Sequence, residues 1–261
     1  MIELIPADFQ RVTPLFEGIE LWPSLPHSVI EQNQIGRIFV DNSTAPRAAV
    51  VCHSTGYSYV GGESETFSDE LEQELFDKVN NDVLHLCGTT GYWQERLRTF
   101  MKDSSEPYQM LSYRFDENSY YELSTPTKLP SDCRMERIDE SLAHLIDQDP
   151  ESGILWYFDS VEHFCEQGLG YGLFEGDDLA SFCFTVLVGA GWSDPQLKTG
   201  ELFRRKGYAT QVTAAYIAGC LDAGLEPTWH TWPGNTVSER LATHMGFRPI
   251  GEFTVYSLRR N

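Results

Sequence analysis

The sequence predicts an α+β chain built on a mixed sheet, and three observations carry that prediction. Short runs of β-branched and aromatic residues alternate with segments of helical spacing along the whole 261 residues. A stretch without periodicity, residues 124–131 (Ser-Thr-Pro-Thr-Lys-Leu-Pro-Ser), separates two such series. After it the order restarts as strand, two helices, three strands, helix, strand, helix and a closing strand pair. The domains expected are therefore a smaller α/β domain over 1–125 and a larger one over 130–261.

In chain order, residues 1–42 mix Pro14, Pro23 and Pro26 with short apolar runs and predict short helices and turns. Strands follow at 36–40 and 48–53, split by a turn-forming Asp-Asn-Ser-Thr-Ala-Pro, with a third at 57–61. Leu71, Leu75, Phe76 and Val79 have helical spacing and predict a helix over 68–80 with Ser68 as its cap. A short strand at 83–87, a helix at 92–102 and strands at 108–115 and 120–123 complete the first series. The second has a strand at 134–138, a helix from Asp139 or Glu140 to 146, and a helix at 160–168 stopped by Gly168. A hairpin follows at 170–174 and 179–188, turned at Glu175-Gly-Asp-Asp, then an extended segment at 192–199. The rest is a helix from 204–210 to about 223, a strand at 228–232, a helix at 235–245 and a strand pair at 248–258.

Composition removes several classes of function. The net charge of −20 argues against nucleic acid and anionic membrane surfaces as partners. It suits a cationic substrate, although acidity also serves solubility alone. No apolar stretch reaches the about 18 residues of a membrane helix, and the first residues lack the basic region of a signal peptide. A cytoplasmic location is expected. The six cysteines have no C-x-x-C spacing and read as small core residues of a reducing compartment. No metal site is expected.

The turn at 204–210, Arg-Arg-Lys-Gly-Tyr-Ala-Thr, concentrates three of only 19 basic residues at the entrance of a helix. Gly207 and Ala209 leave little side chain there, so a ligand can approach the backbone. The first N–H groups of a helix have no intrahelical partner and lie at the positive end of its dipole, which favours an anion such as a pyrophosphate. By spacing alone, a basic turn before an ordinary amphipathic helix explains the same residues equally well.

The flanking sequence decides. Arg204-x-x-Gly207-x-Ala209, together with Asn235-x-x-Ser238-x-x-Leu241-Ala242-x-x-x-Gly246-Phe247 and the element order, resembles the GNAT N-acetyltransferase superfamily. Within it, Phe164, Gly168-Leu-Gly170, Gly191-Trp192, Asp194 to Thr199 and Phe203-Arg204-x-x-Gly207-x-Ala209-Thr210 look like the zwittermicin A resistance-type family. The resemblance covers residues 130–261 and implies the GNAT fold there, with the first half as a degenerate GNAT-like partner that helps to form the acceptor site. It implies acetyl-CoA as co-substrate and a small-molecule amine as acceptor; a homodimer stays open. The backbone of Arg204, Arg205, Lys206, Gly207, Tyr208, Ala209 and Thr210 would hold the pyrophosphate. The strand edge of Leu197, Lys198 and Thr199 would pair with the amide-bearing pantetheine arm. An N–H near Leu197 or Lys198 would polarise the acetyl carbonyl. Asn235 and Ser238 would touch the cofactor, and Asn235 also suits an N-cap.

The acid–base residues are less sharply marked. Asp194 falls where the related family carries a Glu and is the first choice of base, though Asp-Pro also starts turns. Glu201 reads as a solvated loop charge. His230 either lines the cleft or packs as an ordinary histidine. The position from which GNAT enzymes present a thiolate-protonating Tyr is Ala242, which leaves Tyr256, Tyr208 or a water. Trp192, Trp229 and Trp232 shape an acceptor pocket or simply pack. A second reading, a CoA-binding regulatory module without catalysis, follows from the same departure at 242.

Overall fold

The computed structural model describes residues 1–79, 81–88, 90–100, 105–123 and 129–259. It divides into two units, Met1–Ser112 with Gly251–Asn261, and Tyr113–Ile250, each mixed α+β.

The first unit opens with β1 (Ile2–Glu3), a 3-10 segment (Pro6–Val12), α1 (Thr13–Phe16) and α2 (Ser24–Ile30). Strands β2 (Gly36–Val40), β3 (Ala48–His53) and β4 (Tyr57–Gly62) form an antiparallel meander, with β1 beside β2. Every residue of β3 is buried, so apolar residues run continuously from Ala48 to Cys52 and do not alternate. Asp41 builds the turn before it, accepting from the N–H groups of Arg47 (2.9 Å) and Ala48 (3.2 Å). Helix α3 (Glu65–Lys78) leads to β5 (Val83–Cys87), which runs parallel to β4, and α4 (Gly91–Phe100) leads to β6 (Ser105–Phe115). Phe67, Leu71, Leu84, Leu86 and Trp93 form the core on the helix side of this sheet. The far end of the C-terminal strand, Phe247–Arg259, pairs antiparallel with β5.

In the second unit, α5 (Glu117–Leu123) precedes β7 (Cys133–Arg137) and α6 (Glu140–Ile146), and α7 (Val161–Gln167) precedes β8 (Gly170–Glu175). Asp139 caps α6 by accepting from Leu142 N–H at 2.9 Å, and Ser160 caps α7 by accepting from His163 N–H at 3.1 Å. β8, β9 (Asp178–Gly189) and β10 (Trp192–Thr199) are antiparallel neighbours of β7, in that order. The β9–β10 turn places Ala190 and Gly191 at φ +54° and +78°, the two left-handed residues a tight hairpin demands. Then come α8 (Tyr208–Asp222), β11 (Glu226–Thr231), α9 (Thr236–His244) and β12 (Phe247–Arg259). Strand β9 separates two cores by simple alternation. Phe182 and Phe184 pack with Leu142 and Phe164 on the α6–α7 side, and Cys183 packs with Val212, Tyr216 and Cys220 on the α8 side.

Four local expectations change. Residues 120–123 are helical, because Asp116 ends β6 and accepts from Ser119 N–H at 2.7 Å, starting a helix that overrides the strand preference of two tyrosines. The cap of α3 is Ser64, which accepts from Phe67 N–H at 3.3 Å; Ser68 is buried inside the helix and donates to Glu65 O. The expected strand pair over 248–258 is the single strand β12, since Gly251 has no positive φ. The short strand expected at 228–232 begins earlier, at Glu226, and ends at Thr231. The linker expected at 124–131 falls mostly on residues 124–128, outside the described residues.

Candidate functional site

The site is a wedge between β10 and β11. These parallel strands share two rungs, Trp192↔Glu226 and Ser193↔Pro227, and their pairing then stops. Two features of the sequence account for the parting. Pro195 has no N–H to give to a neighbour, and the β9–β10 register shifts between Asp194 and Pro195, where Val186 is an extra residue on β9 and bends that strand. Ser193 pins the apex: its hydroxyl lies 2.7 Å from Tyr216 OH on α8 and 2.9 Å from Thr185 Oγ1 on β9, all fully buried. Past the apex, the Lys198 carbonyl accepts from Ser181 Oγ of β9 at 2.9 Å. Strand alternation therefore turns the N–H and C=O of Leu197 and Thr199 toward the open edge.

Beside that edge lies the start of α8. Arg205 (φ +63°) and Gly207 (φ +83°) are both left-handed, and a Cβ added at Gly207 would meet nothing within 4 Å. The backbone is thus strained into a turn whose glycine faces open space. The first N–H of the helix ladder is that of Gln211, donating to Gly207 O at 3.2 Å. The N–H groups of Tyr208, Ala209 and Thr210 precede it and point out of the helix end. Helices α3, α6, α7 and α9 close their starts with Ser64, Asp139, Ser160 and Asn235, whereas α8 has no side-chain cap.

Not every basic side chain of the turn faces that end. Lys206 Nζ lies 2.7 and 2.8 Å from the Glu175 carboxylate, and Tyr208 OH donates to the same carboxylate at 2.7 Å. Together, the Lys206 and then the Tyr208 hydrogen bonds hold the Glu175 carboxyl below the usual range. Tyr208 OH also accepts from Cys133 Sγ at 3.4 Å, and these two bonds push its phenol upward. The Tyr208 hydroxyl proton is thus engaged by Glu175. Arg204 lies 3.7 Å from Glu201 on the surface.

Asp194 is the first residue of β10 beyond the last rung, and its side chain is 5% exposed. Its Oδ1 lies 3.5 Å from Nε2 of His230 on β11, which is 7% exposed. The two expected acid–base residues are thus brought together across the opening of the wedge, both screened from water. Alternation sends Trp229 the other way, its Nε1 donating to Ser238 Oγ at 2.9 Å and its ring 5.4 Å from Phe247. Trp229 is therefore a packing residue. Trp192 is half-buried and Trp232 is exposed. Asn235 caps α9, accepting from Ser238 N–H at 3.3 Å, so both residues expected at the cofactor spend side-chain hydrogen bonds on the protein itself. Ala242 is fully buried.

Tyr256 belongs to the first unit. It pairs with Leu86 on β5, belongs to the core of the first unit, and burial pushes its phenol up. The strand alternation that buries Leu258 buries it too. What the sequence did not reveal is a polar line beside Asp194 on one face of β10. Gln196 Nε2 donates to Glu151 O at 3.4 Å, and Lys198 Nζ holds Asp149 and Glu151. Those partners are 45 to 49 residues away, and no local pattern signals them.

The wedge thus combines an open strand edge, an uncapped helix entered through a glycine, and a buried carboxylate at the fork. The GNAT acetyltransferase family matches residues 13–256, and the chain belongs to that family, a class of acyltransferases. It is 23% identical over 257 residues to the uncharacterized N-acetyltransferase YdfB of Bacillus subtilis (strain 168), covering 97% of each chain. Its fold resembles that of a GCN5-related N-acetyltransferase-like protein from Streptococcus suis 89/1591, with TM-score 0.74, 22% identity and coverage of 97% and 99%. A tandem GNAT protein from the clavulanic acid biosynthesis pathway gives TM-score 0.68 at 10% identity, covering 99% of this chain and 97% of that one. Among the described residues no helix is long and apolar enough to cross a membrane.

Proposed function

We propose that the second unit moves an acetyl group from acetyl-CoA to a primary amine of a small molecule, by direct transfer in a ternary complex. The observation that carries this reading is the buried Asp194–His230 pair at the fork of the wedge, 3.5 Å apart. Bound acetyl-CoA would supply the acetyl thioester. The backbone N–H groups from Arg205 to Thr210 would hold its pyrophosphate, and the free edge of Leu197 and Thr199 its amide-bearing arm.

The protein's own steps follow from where these groups stand. Asp194 takes a proton from the acceptor ammonium, directly or through one water, leaving a nucleophilic amine. His230 holds the carboxylate in place, and its imidazole is the next station for that proton. The Leu197 N–H, aimed out of the edge, polarises the carbonyl oxygen as the C–N bond forms and the C–S bond breaks. The attacking nitrogen sheds its second proton as the amide forms, and the departing thiolate, whose free thiol has a pKa near 8.5, can take that proton directly or through water. This fits the buried alanine at 242 and the two tyrosines engaged elsewhere.

The first half reads as a degenerate copy of the same fold. Its order, β1-α1-α2-β2-β3-β4-α3-β5-α4-β6, parallels β7-α6-α7-β8-β9-β10-α8-β11-α9-β12, and β4 runs parallel to β5 as β10 does to β11. Two differences argue against a second cofactor there. Strands β4 and β5 stay paired through Tyr59↔Cys87, and α3 is capped by Ser64 between Glu63 and Glu65.

The test has two parts. Calorimetry should detect acetyl-CoA, and Gly207→Glu should abolish that binding. Thiol release should then appear with some member of a broad amine panel. Cofactor binding without thiol release from any amine would favour the alternative, a CoA-binding regulatory module on a GNAT scaffold.

A further inference from the structure

Lys198 stands on the strand whose backbone edge faces the wedge, yet its side chain leaves in another direction. Alternation along β10 puts Asp194, Gln196 and Lys198 on one face, and Ser193 and Leu197 on the α8 face. On the first face the Lys198 ammonium is 2.7 Å from both oxygens of Asp149 and 3.0 Å from Glu151 Oε2. Gln196, between Lys198 and Asp194, donates to the Glu151 carbonyl at 3.4 Å. Two consecutive outward side chains of β10 therefore seize the segment that follows α6.

That segment is also braced from within. Asp149 accepts from Glu151 N–H at 2.9 Å, and Asp147 accepts from Leu155 N–H at 2.9 Å, which folds residues 147–155 into a fixed arch. The Lys198 and Asp149 side chains are 30% and 26% exposed, less than an ordinary surface pair, and the contact uses both carboxylate oxygens. The arch thus lies on the face of β10 that carries Asp194, two and four residues along the strand from it.

We propose that Lys198 is a positioning residue: it clamps the 149–151 arch against the Asp194 face of β10, and the clamped arch fixes where the acceptor amine sits. This rests on the function proposed above. Lys198 neutralises one of the two carboxylates it holds, so the arch keeps negative charge for an incoming ammonium while its backbone stays in place. Without the clamp, Asp149 and Glu151 would repel each other and the arch would lift from the strand.

The experiment is a double-mutant cycle on acceptor KM. Lys198→Ala and Asp149→Ala should each raise acceptor KM about tenfold, and the double variant should raise it no further. Lys198→Arg, or the exchanged pair Lys198→Glu with Asp149→Lys, should recover most of the loss. A general loss of structure would instead lower kcat in every variant, including the exchanged pair. Additive effects, or an unchanged KM in both single variants, would overturn the proposal. Hydrogen exchange at the Glu151 amide separates this from the catalytic reading. Faster exchange in Lys198→Ala supports the clamp even if no amine is acetylated, and unchanged exchange overturns it.

Discussion

The most informative perturbation is the smallest one, Gly207→Ala. The position is left-handed at φ +83°, and an L-residue held there costs about 1–2 kcal/mol. A Cβ would meet no heavy atom within 4 Å, so the free protein should lose that conformational amount and nothing more. At about 2–4 °C per kcal/mol, the melting temperature should fall by only a few degrees. Cofactor binding should suffer further, because the new methyl points into the space where a pyrophosphate would approach. A hydrogen bond from a backbone N–H to a charged oxygen contributes about 1.5–3 kcal/mol, so losing one such bond weakens Kd about ten- to a hundredfold. A thermal melt and a calorimetric titration with acetyl-CoA measure the two terms separately. A protein destabilised as expected but binding acetyl-CoA as tightly as before would show that the anion does not sit at this helix start.

Three further outcomes are expected. Asp194→Asn should lower kcat about 10²- to 10⁴-fold while leaving the acetyl-CoA Kd within twofold, which initial-rate kinetics and calorimetry check together. The same titration should saturate at about one acetyl-CoA per chain, since α3 presents a capped and acidic start; a second equivalent site would refute the contrast between the halves. Burial holds the imidazole of His53 down to about 4, with its Nδ1 2.8 Å from Thr55 Oγ1. Below a pH of about 6.5 the unfolded chain takes up a proton that the folded one refuses. The His53 contribution should therefore be complete above that pH and shrink as pH falls toward 4, by at most about 3 kcal/mol. Urea melts of wild type and His53→Gln at pH 7 and 4.5 should show the pH dependence reduced in the variant.

What was legible in the sequence was local. Gly207 suits its left-handed φ, and Asn235 suits the start of α9, which it caps. Such constraints act within a few residues and leave a readable pattern. Asp194 and His230 were each visible as candidates, but only folding sets β10 and β11 side by side and brings the two within 3.5 Å. The Lys198–Asp149 contact was invisible, because a lysine and an aspartate 49 residues apart look like any surface charges. Tyr120 and Tyr121 misled for a related reason: their strand preference is weaker than a single cap at Asp116. Where Tyr256 lies depends on which strand β12 pairs with, and that partner, β5, is supplied by the other half of the chain.

That last pairing sets the order in which the molecule can be completed. His85 on β5 meets Ser257 on β12 across 172 residues, with Nδ1 and Oγ 2.8 Å apart. A chain emerging from the ribosome presents β5 long before β12 exists. Until then β5 has a row of backbone groups with no neighbour on that side, the kind of edge that recruits strands from other chains. The N-terminal sheet is thus left unfinished until residues 255–259 have been made. Shortening the chain by its last strand should therefore damage the first unit, at the opposite end of the sequence from the deletion.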